Sequence, residues 1–543
     1  MDKKEEVIGI AEAAGFLHMK PAVLRKWMQL REDIPAHRIG RRWRFKRSEL
    51  EEWASRIKKR CAPDIRAVEQ YGIFECTIHR KPETPYPYGE TELFVTFVSE
   101  HGSSVAFWGF YDGDAIWKIR FMPTELGMWH YCAHFSDDTE TEFYGAFHCV
   151  PGEIPGMIGT DCQNPMWFGY SSGEHFFMRS FHVGDFFFAD NWPDSSRTAF
   201  LDWAEQQGYN TLSIASFFIN RQTYRRGMGW NTPSLWPIDP KEYRKAEKIL
   251  DLLAQRKFII FPFAGFFGRE GFYPSAHRDQ VRYIRYIIAR WGCYWNLLFN
   301  VAGPEPLLDV NPYLTVAEID KLGRLIAKND IYHHALTVHN QMGDDQFGKK
   351  KYQSYTTLQG PKTTSLSELR RSLVANHPKT GPLYAQETLW TGNVYAHPPY
   401  TDTELRRNAY VIALSAAALN YGDMDGDSSS GFSGQPELAR RVQRRHDIVK
   451  SVWDRVSRFP YYLMRPDDTV ATQAYALTDE TKQRCLLFVC QQTSIQLNLC
   501  EDAAYDAVLV RTDCVQPDIY MIVHKELKFP DIGDWLVYFQ IRT

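Results

Sequence analysis

Trp295-Asn-Leu-Leu-Phe-Asn-Val-Ala-Gly-Pro-Glu305 reads as a short apolar strand that ends in a carboxylate. About eighty residues later, Pro382-Leu-Tyr-Ala-Gln-Glu-Thr-Leu-Trp390 repeats the pattern, with Glu387 as its acid. Each run leads through loop residues into a helical pattern. Strands of this kind belong to a parallel sheet wrapped by helices, where C-terminal strand ends converge on one mouth.

Outward from these two strands the alternation continues in both directions. Phe176–Phe181, Tyr209–Ile214 and Phe258–Phe263 read as the first three strands, and the strands ending at Glu305 and Glu387 as the fourth and seventh. Ala335–His339, Tyr355–Gln359 and Ala418–Gly422 read as the fifth, sixth and eighth. Between them lie helical faces: Phe200, Trp203 and Ala204, closed by Gly208; Val281–Trp291; and Asp402–Ala417. Repeated βα units predict a (β/α)8 TIM barrel over residues 155–455 rather than two sandwiches.

The flanks read differently. Residues 66–150 carry Phe74–Ile78, Leu93–Phe97, Ala106–Phe110, Trp117–Phe121 and Trp129–Cys132, alternating strands with turns between them, which predicts a β-sandwich. Residues 456–543 return to strand-like runs and predict a C-terminal β-domain. The whole is a multidomain α/β chain with a small N-terminal winged helix-turn-helix over residues 1–60. There, Ala13, Ala14 and Leu17 form one helical face, and Pro21 opens a second helix carrying Val23, Leu24 and Trp27. His37–Phe45 alternates around Gly40-Arg41 as a hairpin, and Ser48-x-x-Glu51 is a capping box for a third helix.

Charge separates the head from the body. Residues 1–60 hold 16 Lys+Arg against 9 Asp+Glu, while the remaining chain holds 47 against 57. A basic head on an acidic body suits a polyanionic partner for the head alone. The ten cysteines show no C-x-x-C pair, and no long apolar run is present, so reduced thiols and a cytoplasmic location without membrane contact are expected. An aromatic fraction of 15% suits both sugar stacking and β-rich cores. P-loop, dinucleotide and H-E-x-x-H motifs are absent, and histidine spacing suits no metal, so neither metal nor cofactor is expected. Lys349-Lys-Lys351 is a solvated loop cluster rather than a Schiff-base lysine.

Two glutamates at one barrel mouth are what glycoside hydrolysis needs: one to protonate the leaving oxygen, one to attack or to activate water. Residues Gly208-Tyr-Asn-Thr211, Gly303-Pro-Glu305, His339 and Gln386-Glu387 resemble the strand-end residues of the large retaining (β/α)8 glycoside hydrolase clan. The resemblance is closer to its apiosidase-like and cellulase-related branch, whose barrel follows an immunoglobulin-like domain. The stretch Gly109–Gly113 followed by Arg120–Trp129 is similar to that domain. The resemblance implies Glu305 as acid/base and Glu387 as nucleophile. The clan usually has Asn immediately before the acid/base; here Pro304 stands there and cannot supply that amide.

His182, Asp185 and His339 are further candidates for holding sugar hydroxyls, and Trp230 and Trp390 for stacking on a sugar face. Residues 7–59 resemble the excisionase-type helix-turn-helix family. That resemblance implies DNA contacts from Lys20, Arg25 and Lys26 on the recognition helix and from Arg41, Arg42 and Arg44 on the wing. The expected partners are therefore a carbohydrate and DNA, with the oligomeric state open. Two functions fit: a retaining hydrolase of an oligosaccharide or glycoside with a DNA-binding head, or a sugar-sensing regulator whose barrel no longer hydrolyses.

Overall fold

The protein is seen in a computed structural model that describes residues 6–17, 19–30, 34–40, 42–56, 59–60, 66–183, 185–188, 193–214, 236–263, 265–267, 273–303, 314–341, 350–378, 381–391, 398–423, 443–499 and 503–542. In the head, helices Ile10–Phe16 and Pro21–Leu30 bury Ala13, Ala14, Val23, Leu24 and Trp27 together. Strands His37–Ile39 and Arg42–Lys46 pair antiparallel, with Gly40 in the left-handed region at the turn, φ 64°. Val7–Gly9 adds a third strand, and helix Arg47–Arg56 brings Leu50 and Trp53 into the same core. That helix begins one residue before the Ser48 at which the capping box would start it.

Two sheets follow, antiparallel except where Lys59–Arg60 and Arg66–Glu69 pair parallel with Asp138–Val150. The smaller contains Phe74–His79, Phe110–Gly113 and Ile116–Phe121; the larger is built on Leu93–Ser99, Ser104–Trp108, Gly127–Phe135 and Asp138–Val150. Alternation along Phe74–His79 turns Phe74, Cys76 and Ile78 inward, where they share one core with Phe97, Trp129 and Phe147 of the facing sheet.

Seven parallel strands then form a curled sheet in the order Ile259–Pro262, Thr211–Ile214, Arg179–Val183, Ala417–Asp423, Leu383–Thr391, Thr356–Gln359, His339–Gln341. A further parallel pair, Phe299–Asn300 with Leu336–Thr337, lies at its edges. Ile260 accepts from Leu298 N and donates to Asn296 O, while His339 N donates to Ala302 O. Helices such as Asp194–Gln206, Pro240–Gln255, His277–Trp291 and Asp402–Leu414 cover the outside, each with one apolar face buried.

Several boundaries differ from the sequence expectation: the seventh strand runs past Glu387 to Thr391, Ala106–Phe110 is divided between two strands, and two shifts bear on how the parallel sheet begins and ends. Phe176 belongs to a small antiparallel sheet, so the first parallel strand starts at Arg179. The helix from Asp402 stops at Leu414, and Ala416 at φ 54° turns the chain into the eighth strand. A six-stranded antiparallel sheet spanning Arg465–Ile541 ends the chain; Leu486, Phe488 and Leu536 on it join the core of the parallel sheet. Among the described residues no helix is long and apolar enough to cross a membrane.

Candidate functional site

The seventh parallel strand, Leu383–Thr391, is buried along its whole length, and its pairing with the eighth strand slips between Ala385 and Leu389. In a regular strand neighbouring side chains point to opposite faces. The irregularity removes that constraint, and both Gln386 and Glu387 reach buried polar groups. Gln386 Nε2 donates to Ser213 Oγ at 2.9 Å and lies 3.5 Å from His182 Nδ1. Glu387 Oε2 stands 3.8 Å from His339 Nε2, with both side chains essentially inaccessible.

Hydrogen bonds to its backbone and from the Thr388 hydroxyl hold the bulge. Gly360 N donates to Glu387 O at 3.0 Å, Thr388 Oγ1 to Gly360 O at 2.7 Å, and Asn420 Nδ2 to Gln386 O at 2.8 Å. Trp390 has no exposed surface; its Nε1 donates to Gln386 O at 3.0 Å and its ring lies 4.6 Å from that of His182. Trp390 thus braces His182 and the Gln386 backbone from inside the core. Below, Ser180 Oγ joins Tyr384 Oη at 2.7 Å and Asn420 Oδ1 at 2.8 Å, which fixes strands one, seven and eight to each other.

The electrostatics follow from dryness. Burial pushes the Glu387 carboxyl up from 4.5 to about 7, against the opposing charge of Lys362 and a hydrogen bond from Gln359. Burial likewise drives His182 down to about 3, and His339 down to about 3 with help from the charges of His182 and Lys362. Both rings are therefore neutral near pH 7 and serve as hydrogen-bond partners, not as cations. Glu387 Oε2, both ring nitrogens of His339, Gln386 Oε1, Asn300 Oδ1 and Thr357 Oγ1 are buried with no hydrogen-bond partner among the described residues. These orphaned polar atoms lie on neighbouring parallel strands.

The structure thus brings His182, His339, Glu387 and Trp390 to one end of the curled sheet. Asp185 sits in a 3-10 turn just after the first strand. Glu305 and Trp230 lie outside the described residues. Sequence reading passed over Ser213, Asn300, Thr357 and Gln359, whose only signal is a polar side chain on an otherwise apolar strand. Among the described residues no group of three His, Cys, Asp or Glu side chains is placed to hold a metal.

On the head, Arg25 and Arg42 are exposed, Lys26 and Arg44 are half-buried, and Arg41 lies outside the described residues. Lys20 forms an ion pair with Glu100 of the sandwich at 2.8 Å while remaining 57% exposed.

Comparison with known proteins adds three findings. Residues 7–58 match the family model described as a helix-turn-helix domain, and residues 67–136 match a domain of unknown function, DUF5060. A crystal structure from Bacteroides vulgatus ATCC 8482, provisionally named a glycoside hydrolase, superposes with TM-score 0.69 at 17% identity, covering 88% of this chain and 100% of that one. A glycoside hydrolase family 5 structure from the same strain gives 0.55 at 15% identity, covering 72% and 94%. A third structure, named a glycoside hydrolase, gives 0.55 at 14%, covering 72% and 98%. No curated protein matches. The chain has a glycosidase-like fold with a helix-turn-helix domain at its N-terminus.

Proposed function

We propose that the chain is a retaining glycoside hydrolase of the (β/α)8 clan, acting on an oligosaccharide or glycoside, with a DNA-binding head. The observation that carries this reading is Glu387, a buried carboxylate at the bulge in the seventh strand, 3.8 Å from a neutral histidine and with an oxygen that has no hydrogen-bond partner among the described residues. Hydrogen bonds around the curled sheet support an eight-stranded barrel, and the segment after its fourth strand carries Glu305. The domains proposed are the head at 1–60, an immunoglobulin-like sandwich at 66–150, the barrel at 155–455 and a β-domain at 456–543.

In the first step the Glu387 carboxylate attacks the anomeric carbon while Glu305 gives its proton to the departing oxygen. In the second, Glu305 takes a proton from water, which displaces Glu387 and releases the sugar with retained configuration. This requires the carboxyls about 5–5.5 Å apart. His339 is placed to bond the nucleophile's free oxygen or a sugar hydroxyl. His182, Asp185 and Trp230 complete the proposed sugar site; Trp390, expected from the sequence to stack on a sugar, is fully buried and supports His182 instead. With Pro304 in place of the usual amide, the contact to the 2-hydroxyl falls to another group.

A panel of aryl glycosides tests the proposal on wild type, Glu305→Gln and Glu387→Gln. Hydrolysis that Glu387→Gln abolishes upholds it. Sugar binding with turnover in none of the proteins overturns it in favour of a sugar-sensing regulator. That second reading draws support from the contact of the head with the sandwich, where Lys20 pairs with Glu100 and Val98 and Cys132 share the head's buried cluster. For the head, the proposed contacts are Lys20, Arg25, Lys26, Arg41, Arg42 and Arg44, and duplex binding is expected to weaken steeply with salt.

A further inference from the structure

Between the sandwich and the parallel sheet lies a cavity of ≈ 260 Å³, away from the strand-end site. Its sandwich wall includes Tyr88, Gly89, Glu92 and Trp108; its other wall is one face of helix His277–Trp291, which presents Arg278, Arg282 and Arg285 at helical spacing. Among the described residues, three guanidiniums thus meet a single lining carboxylate, Glu92. Arg285 is fully engaged: its guanidinium covers the Trp108 ring at 4.0 Å, bonds Glu92 Oε1 at 3.0 Å and bonds Asn329 Oδ1 at 3.1 Å.

The other two arginines are under-used. Arg282 bonds Asp279 at 3.0 Å and reaches Gly89 O at 3.4 Å, while its Nε is buried with no acceptor among the described residues. Arg278 reaches only Gly89 O, at 3.4 Å, and has no carboxylate partner among the described residues. Trp108 Nε1 is a second buried donor with no acceptor. Gly89 makes the arrangement possible: it sits at φ 76°, and a Cβ there would stand 1.9 Å from Arg282 Nε. Rings make up much of the remaining wall, with Tyr88 5.4 Å from Tyr286 and 5.9 Å from Tyr111, beside Leu93, Ile238 and Val281.

We infer that this cavity binds an acidic monosaccharide, a uronic acid free or at the end of a glycan, separately from the strand-end site. The carboxylate pairs with Arg278 and Arg282, which supply forked donors matched to it. One ring of this size fits the volume, at the small end of ligand pockets. The ring's apolar face lies on the aromatic wall, and its hydroxyls supply acceptors for the idle donors, which an arene acid could not do. A neutral sugar leaves Arg278 without a carboxylate and the buried Nε of Arg282 without an acceptor among the described residues.

Calorimetric titration of the full chain tests this with glucuronate, galacturonate, methyl glucuronide, glucose, benzoate and acetate. Uronates are expected to bind at least tenfold more tightly than glucose, benzoate or acetate. Arg278→Gln, an exposed substitution that leaves the fold intact, and Arg282→Gln each weaken uronate at least tenfold; Glu387→Gln leaves it unchanged. Methyl glucuronide binding as well as free glucuronate assigns the site to a glycan end, whereas loss of binding on methylation assigns it to the free acid. Equal binding of acetate or benzoate overturns the proposal. So does uronate binding that survives both arginine substitutions or that disappears in Glu387→Gln.

Discussion

Glu387 is held at a cost that depends on pH. Its folded pKa of about 7 lies above the ordinary 4.5, so the fold favours the protonated form. The native state therefore keeps its full stability below pH 4.5 and loses it as the pH rises to about 7, by roughly 3 kcal/mol at 1.4 kcal/mol per unit. Glu387→Gln removes the buried charge. Its melting temperature is expected to exceed that of wild type above pH 7 and to match it below pH 4.5, as measured by thermal denaturation across that range. A gain that is the same at every pH would mean that packing, rather than charge, distinguishes the two side chains. For the hydrolase, the acid limb of kcat/KM falls near the same pH, since the attacking carboxylate must be ionised. Glu387, His182 and His339 were legible in the sequence because each ends an apolar run. The burial of Trp390 was not. Whether a strand-end ring faces a mouth or a core depends on register, and the slip between Ala385 and Leu389 is set by partners on the eighth strand, not by local residues.

Among the elements, helix His277–Trp291 serves two structures at once, carrying the arginines of the cavity and Arg290 of a buried ion cluster. Arg290 has no exposed surface and pairs with Asp112 of the sandwich at 2.7 Å and with Glu247 of helix Pro240–Gln255. Arg120 of the sandwich also bonds Glu247, at 2.7 Å. Burial would raise the Glu247 pKa, but the charges of Arg120 and Arg290 outweigh it and hold it at about 2. Its contribution to stability is present above pH 4.5 and is lost as the pH falls toward about 2. Glu247→Ala leaves two buried guanidiniums without their shared partner and is expected to cost roughly 3–5 kcal/mol by denaturant unfolding. By contrast, substitution of Arg256, paired with Asp202 and Glu205 at the surface, is expected to cost roughly 0–1 kcal/mol. The strands and helices themselves were legible wherever a period repeated. Their ends moved where the backbone rather than the side chains decided, as at Ala416, whose left-handed φ of 54° no propensity announces.

At the scale of the whole molecule, the head is seated on the sandwich rather than tethered to it. Val98 and Cys132 of the larger sandwich sheet belong to the same buried cluster as Val23, Leu24 and Trp27 of the head. Composition separated a basic head from an acidic body, yet nothing local showed that they share a core, because the contact joins surfaces remote in sequence. The seat has an electrostatic consequence. Glu100 occupies the ammonium group of Lys20, one of the cations proposed to meet DNA, and that bond lowers the pKa of the Glu100 carboxyl. Glu100→Gln frees Lys20 without removing a buried apolar contact, so the head stays in place. Each phosphate neutralised adds nearly one to the slope of log K against log salt. The variant is therefore expected to bind a duplex more tightly at low salt, with a slope steeper by about one. Fluorescence anisotropy titrations at several salt concentrations measure it. An unchanged slope would remove Lys20 from the DNA-binding face and leave Arg25, Lys26 and the wing arginines to carry it. A Lys20→Gln, Glu100→Gln double variant separates the two causes: if the gain comes from a freed ammonium it disappears in the double variant, and if it comes from removing a negative charge near the helix it persists.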